Sequence, residues 1–217
     1  MKKIIFIGLF LLNLPAFGQY IAKDKVVESE TLIFPLQNNH VHGSSIVSLP
    51  NGDLLTAWFE GSGERKADDV RIMGARLRKN DSQWGEPFLL ADTPNLPDCN
   101  PVLFLNQEGK LFLVWIAVQA NKWEQSILRL RTSTSYDNAG APIWSWQESS
   151  IGWMTRIKPL VLSSGRILLP LYSDGFNFSL TAISDDDGET WTPSKPIVGR
   201  GPIQPALAQR KNGEIMA

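Results

Sequence analysis

Seven ionisable side chains crowd the fourteen residues from Phe59 to Ile72: Glu60, Glu64, Arg65, Lys66, Asp68, Asp69 and Arg71, punctuated by Gly61 and Gly63. Acids this close together suit general acid–base chemistry. Burial or the charge of a neighbouring carboxylate can lift one carboxyl towards neutrality, and Glu64 or Asp68 can supply that charge to Asp69. Arg65 adds a planar fork matched to a carboxylate on a ligand. A solvated loop can share this composition, so the weight of the cluster depends on the elements that hold it.

Those elements repeat. A polar or small residue, usually followed by Pro, opens an apolar strand; a turn ending in Gly follows, and then a second apolar strand. The unit occurs as Gly43-Ser44-Ser45-Ile46-Val47 leading to Gly52-Asp53-Leu54-Leu55, and as Asn100-Pro101-Val102-Leu103 leading to Gly109-Lys110-Leu111-Phe112. Lys158-Pro159-Leu160-Val161 leads likewise to Gly165, and Gln204-Pro205-Ala206-Leu207 to Gly213. Proline is tolerated at a strand's first residue, and glycine supplies the positive φ of a tight hairpin. Counted from Ser44, Pro101, Pro159 and Pro205, the copies are 57, 58 and 46 residues apart, spacings that each fit one four-stranded propeller blade. Inner strands of a propeller begin around a central funnel, so the polar residues at those starts are expected to face a ligand: His42, then Asp98 and Asn100, then Lys158, then Gln204.

The rest of the chain agrees with an all-β fold. Eight tryptophans, ten phenylalanines, seventeen glycines and fourteen prolines are spread along it, a mix suited to short strands and tight turns. Strand-like runs cover Leu54–Phe59, Val70–Leu77, Leu111–Ala117, Ile127–Thr132, Ile167–Tyr172 and Phe178–Ile183, and after the N-terminus no window keeps helical periodicity. Residues 1–18 read as a signal peptide: Lys2 and Lys3, an apolar run from Ile4 to Leu14, and Ala16-Phe17-Gly18 at the cleavage site. An exported protein, periplasmic or extracellular, is therefore expected, with residues 19–217 as its propeller. The apolar run is too short to span a bilayer. The formal charge of −1, or −3 without the two leader lysines, and the absence of a basic run argue against nucleic acid. The single cysteine, Cys99, excludes an internal disulfide. His40 and His42 do not by themselves make a metal site, and no cofactor is expected.

Ser184-Asp185-Asp186-Asp187-Gly188-Glu189-Thr190-Trp191 matches the Ser-x-Asp-x-Gly-x-Thr-Trp pattern of the Asp box, and blunter copies precede Trp84 and Trp144. Trp58-Phe59-Glu60-Gly61, followed by Glu64 and Asp69-Val70-Arg71-Ile72, resembles a segment of the sialidase-like propellers, and Asn100-Pro101, Lys158-Pro159 and Gln204-Pro205 resemble that family's blade starts. The resemblance runs from about Val41 to Ala217. It implies a six-bladed β-propeller, of which this sequence spells about three and a half blades, with the late blades and their nucleophilic tyrosine and glutamate beyond residue 217.

The resemblance also implies a glycoside hydrolase that removes a terminal, acidic sugar from a glycan, with Asp69 as acid and base. Glu64 assists it, and Arg65, Asp68, His42, Asp98, Asn100, Lys158 and Gln204 bind substrate. One departure matters: where sialidases carry Arg-Ile-Pro at the first blade, this chain reads His42-Gly43-Ser44-Ser45. That leaves open a lyase acting on uronate-containing glycans, in which His42 with Arg65 or Lys158 supplies base and cation, or a propeller that binds glycan without catalysis.

Overall fold

Strands that are apolar on both faces must be covered on both faces, and the chain meets this demand by stacking sheets side by side. The computed structural model describes residues 30–151, 153–197, 199, 201 and 203–217, with backbone alone for 146–151; the signal-peptide reading of residues 1–18 lies outside them. Three four-stranded antiparallel meanders follow one another, each in chain order. The first holds β1 (His40–Ser48), β2 (Leu54–Gly61), β3 (Arg71–Leu77) and β4 (Phe88–Ala91). The second holds β5 (Asp98–Leu105), β6 (Leu111–Val118), β7 (Ser126–Ser135) and β8 (Ile143–Ile151). The third holds β9 (Leu160–Val161), β10 (Ile167–Ser173), β11 (Phe178–Ser184) and β12 (Thr192–Pro193). A two-stranded hairpin, β13 (Ala208–Gln209) with β14 (Ile215–Met216), begins a fourth sheet.

Every residue of β6 is buried, and so is every residue of β10. One apolar cluster runs through all three sheets, from Phe59 and Ile72 through Phe112, Leu113 and Trp115 to Leu169 and Leu171. Burying each such side chain contributes about 1.5–3 kcal/mol, whereas an exposed ion pair such as Arg166–Asp185 is screened by solvent and contributes little. Apolar burial between sheets therefore holds the blades together. A smaller cluster of Trp58, Met73 and Ala75 packs on the other face of the first sheet with Ile33, Phe34 and Trp84.

At one rim, each sheet's outer turn is fastened to the sheet before it. Asp186 of the Asp box accepts from Ser184 Oγ at 2.8 Å and Thr190 N at 2.9 Å, and these donors, led by the Thr190 hydroxyl, hold its carboxyl down to about 2. Asn106 and Lys110 of the second sheet then bind Asp187 and Glu189. The degenerate copy in the second sheet is gripped in the same manner: Arg76 donates to the Gly140 carbonyl and Arg78 to the Asp137 and Asn138 carbonyls. Arg76 pairs at 3.2 Å with the buried Asp53. Since β11 ends in this box and Ser184 lies opposite Ile167, where β10 begins, the box sits at the end of the blade away from the β10–β11 hairpin.

Gly188 is the tightest point of that fastening. Its φ is 82°, and a Cβ there would lie 2.5 Å from Phe112 Cε1. Gly188→Ala should therefore cost roughly 2–4 kcal/mol through left-handed strain plus overpacking. Gly165, with φ of 88° and nothing within 4 Å of its Cβ position, should cost only the strain, about 1–2 kcal/mol. Urea midpoints at unchanged m-value measure both, and equal losses would contradict the role given to the Phe112 contact.

Candidate functional site

The inner strand of each sheet carries a bulge at the same place. His42 pairs with Phe59 and Ser45 with Ala57, so β1 holds one extra residue between those pairs. Cys99 pairs with Ile116 and Val102 with Val114, which gives β5 the same surplus. In the third sheet Met154 bridges Tyr172 and Leu160 pairs with Leu168, leaving two extra residues on the inner chain. Bulges bend a strand and re-aim its side chains, and here the bulged residues are Gly43-Ser44, Asn100-Pro101 and the stretch that contains Arg156. Gly43, Asn100 and, at the fourth unit, Gln204 have φ of 63°, 52° and 56°. Glycine adopts this left-handed conformation freely and asparagine tolerates it, whereas at Gln204 it is strained.

Around these bulges lies a small polar pocket of about 120 Å³. Glu64 enters it from the β2–β3 loop, Asn100 from the bulge of β5, and Met154 and Arg156 from the inner chain of the third sheet. Tyr172 closes the end of β10, Asp174 comes from the hairpin after it, Gln204 from before β13, and Trp123 from the β6–β7 connection. The side chains are pinned by one another. Arg65 pairs with Glu64 at 3.5 Å and stacks on Trp123 with its guanidinium carbon 5.2 Å from the ring centre. His42 Nε2 lies 3.5 Å from an Arg156 guanidinium nitrogen. Among the described residues no carboxylate is paired with Arg156. Burial pushes the Tyr172 phenol up to about 12 against the Arg156 charge and a hydrogen bond with Gln204, so at neutral pH it remains a proton-bearing donor.

The structure thus brings Glu64, Asn100 and Gln204 into one pocket, with His42 and Arg65 touching residues that line it. It does not bring the other expected residues there. Asp69 is exposed, its carboxylate held by Ser62 N at 3.1 Å and Ser62 Oγ at 2.9 Å, and Asp68 is exposed beside it. Lys158 donates instead to the Ile46 carbonyl of β1. Arg156, Tyr172, Asp174 and Trp123 were not signalled by the sequence pattern. Arg156 lay hidden because the inner chain of the third sheet begins at Met154, four residues before the Lys158-Pro159 that marked it.

A meander blade with a bulged inner strand, an Asp box at one rim and a polar pocket at the other defines a β-propeller of sialidase type. The chain belongs to the BNR repeat-like domain family, whose model matches residues 52–217. Among solved structures it is similar to a Dyadobacter fermentans protein of unknown function, with TM-score 0.68 and 15% identity over 85% of this chain. It is also similar to the leech intramolecular trans-sialidase, with TM-score 0.63 and 13% identity over 88% of this chain. A third match, a family 117 glycoside hydrolase from the marine bacterium Zobellia galactanivorans, has TM-score 0.55 and 13% identity over 77% of it. The chain spans 63%, 49% and 60% of those three. Comparison with curated protein sequences returns no significant match.

Asp98 lies apart from the pocket, fully buried between the first two sheets. Its carboxylate accepts from Thr93 N at 2.7 Å and Trp115 Nε1 at 2.9 Å, while its own N–H donates to the Val70 carbonyl. Burial raises its pKa to about 6 despite those donors, with the Asp92 charge adding to the rise. Because the folded-state value lies above the unfolded value near 3.8, the folded state binds more protons between about pH 4 and 6. The Asp98 contribution to stability therefore falls as pH rises through that window. Wild type should lose up to about 3 kcal/mol relative to Asp98→Asn between pH 4 and pH 7. Parallel pH profiles of the two unfolding free energies would overturn this account.

Proposed function

We propose that this chain supplies the substrate-gripping half of an exported glycoside hydrolase of sialidase type, one that releases a terminal acidic sugar from a glycan. The observation that carries the reading is the pocket itself, where the Glu64 and Asp174 carboxylates, the Arg156 guanidinium and the Tyr172 phenol meet at the bulged strand starts. Two carboxylates flanking one site serve glycoside hydrolysis, one as acid and one on the opposite face of the sugar, although enzymes with a tyrosine nucleophile depart from that scheme. A volume near 120 Å³ is far below the roughly 300–1,000 Å³ of sites that enclose a whole ligand, so these residues form part of a site and not the whole of it. Arg156, with no carboxylate paired to it among the described residues, is placed to take an anionic substituent, a role that Arg65 is less free to fill while paired with Glu64.

Glu64 is the loop acid that lines the pocket; Asp69, at the position the family resemblance favours, is the alternative proton carrier. The glycosidase names among solved structures of this fold support the same reading. The contact between His42 and Arg156 favours one second reading, elimination from a uronate, with His42 as base and Arg156 on the carboxylate.

The test is release of fluorophore from a sialoside and a glucuronide by the full-length protein. Glu64→Gln should lower kcat by about 10²–10⁴, and Arg156→Ala should raise KM for the acidic substrates with a smaller effect on kcat. If only Asp69→Ala abolishes turnover, the proton carrier is Asp69. If neither acid variant changes turnover, the hydrolytic reading fails, and an ultraviolet-absorbing unsaturated product from a uronate chain would mark elimination instead.

A further inference from the structure

Asn100 is 4% exposed, yet its Oδ1 finds no hydrogen-bond partner among the described residues while it lines the pocket. Buried polar atoms are almost always paired, and one left unpaired costs the protein its desolvation, so an orphan aimed into a pocket requires an explanation. Backbone geometry does not supply one. The left-handed φ of 52° at this bulge favours a residue such as Asn or Gly, but β1 makes the matching kink with Gly43, which carries no polar atom at all. Gly43 also keeps the approach open: a Cβ there would stand 3.6 Å from Asn100 Oδ1 and 2.7 Å from Phe59 Cε1. The amide is thus carried by a bulge, buried beside Gly43, and borne by a residue that lines the pocket.

We infer that Asn100 is the specificity-determining residue of the pocket, its Oδ1 accepting a hydrogen bond from one hydroxyl or N–H group of the bound sugar. This rests on the reading that the ligand is a sugar, and it adds which protein atom reads it. A site built around an acceptor that is already desolvated rejects the analogue lacking the donor far more strongly than an apolar pocket rejects a missing methylene, because the acceptor stays orphaned. Arg156 then recognises charge and Asn100 recognises a donor.

Asn100→Gly suits the test, since glycine accepts the same φ while removing the side chain; Asn100→Asp keeps an acceptor. The probes are N-acetylneuraminic acid, glucuronic acid and their monodeoxy derivatives, titrated by calorimetry into the full-length protein and both variants. Asn100→Gly should stay folded, with a melting temperature at or somewhat below that of wild type, yet bind at least one parent sugar about 10–100-fold more weakly. Asn100→Asp, which keeps the acceptor but buries a charge, should recover part of the loss. One monodeoxy derivative should bind wild type as weakly as the parent binds Asn100→Gly, and the two losses should not add.

Unchanged binding of the parent sugars by Asn100→Gly, or strictly additive losses at every position, would overturn the inference. So would a wild type that binds none of these probes. Binding that depends on Asn100 without any bond cleavage would sink the hydrolytic reading and leave this one standing. Turnover undiminished in Asn100→Gly would do the reverse.

Discussion

The structure depends on one constraint: the central strands of its blades are apolar on both faces and cannot tolerate water on either. β6, with eight consecutive buried residues, can exist only between two other sheets, and the same demand on β2 and β10 propagates the stack. Inner strands are thereby drawn side by side, as the hydrogen bond from Leu103 N to Ser45 Oγ between β5 and β1 records. Strand starts from successive blades are forced into one neighbourhood whatever residues they carry. Convergence of polar groups there is a consequence of burial elsewhere.

The two ends of the blades hold their polar groups differently. At the Asp-box rim polar groups pair within the box or with the preceding blade, through Asp186, Asn106, Lys110 and the buried Arg76–Asp53 pair. Such a rim is rigid scaffold. At the other end, Asn100 Oδ1 and Arg65 Nε are buried without partners, and Gln204 is held in a strained backbone conformation. Orphan groups also occur elsewhere, at Arg76 Nε and Trp144 Nε1, and Asp187 of the Asp box shares the left-handed backbone. What sets Asn100 apart is that its residue also lines a pocket, where an unpaired acceptor has something to offer a ligand.

Much of the fold could be read from the sequence because hairpin chemistry is local. The runs Leu54–Phe59, Leu111–Ala117, Ile167–Tyr172 and Phe178–Ile183 fall inside β2, β6, β10 and β11, and the Pro and Gly markers bracket the hairpins. The site was less legible. Asp98 and Asn100 are two residues apart and would share a face of a regular strand, but the bulge between Cys99 and Val102 breaks the alternation. Asp98 goes to the sheet interface and Asn100 to the pocket. Lys158 follows the same logic: marked as a strand start by its proline, it lies inside the irregular stretch between Met154 and Leu160 and is bound to the Ile46 carbonyl. Trp123 and Asp174 sit on connections with no periodicity, and Gly175 packs closely against Glu124 where those two loops meet, an added Cβ there lying 2.9 Å from the Glu124 side chain.

The bulge also explains how one blade architecture can serve different ligands. In the first two sheets a surplus residue sits opposite the same point of the second strand, and the third sheet carries two, so the backbone frame recurs while the residue at the kink changes from Gly43 to Asn100 to Arg156. Substituting at such a position leaves the ladder on either side intact, because the bulged residue was already outside it. Recognition can then be altered without disturbing the buried faces that fold the blade. Likeness of fold at 13–15% identity to proteins of different printed names agrees with a frame that does not by itself fix one function.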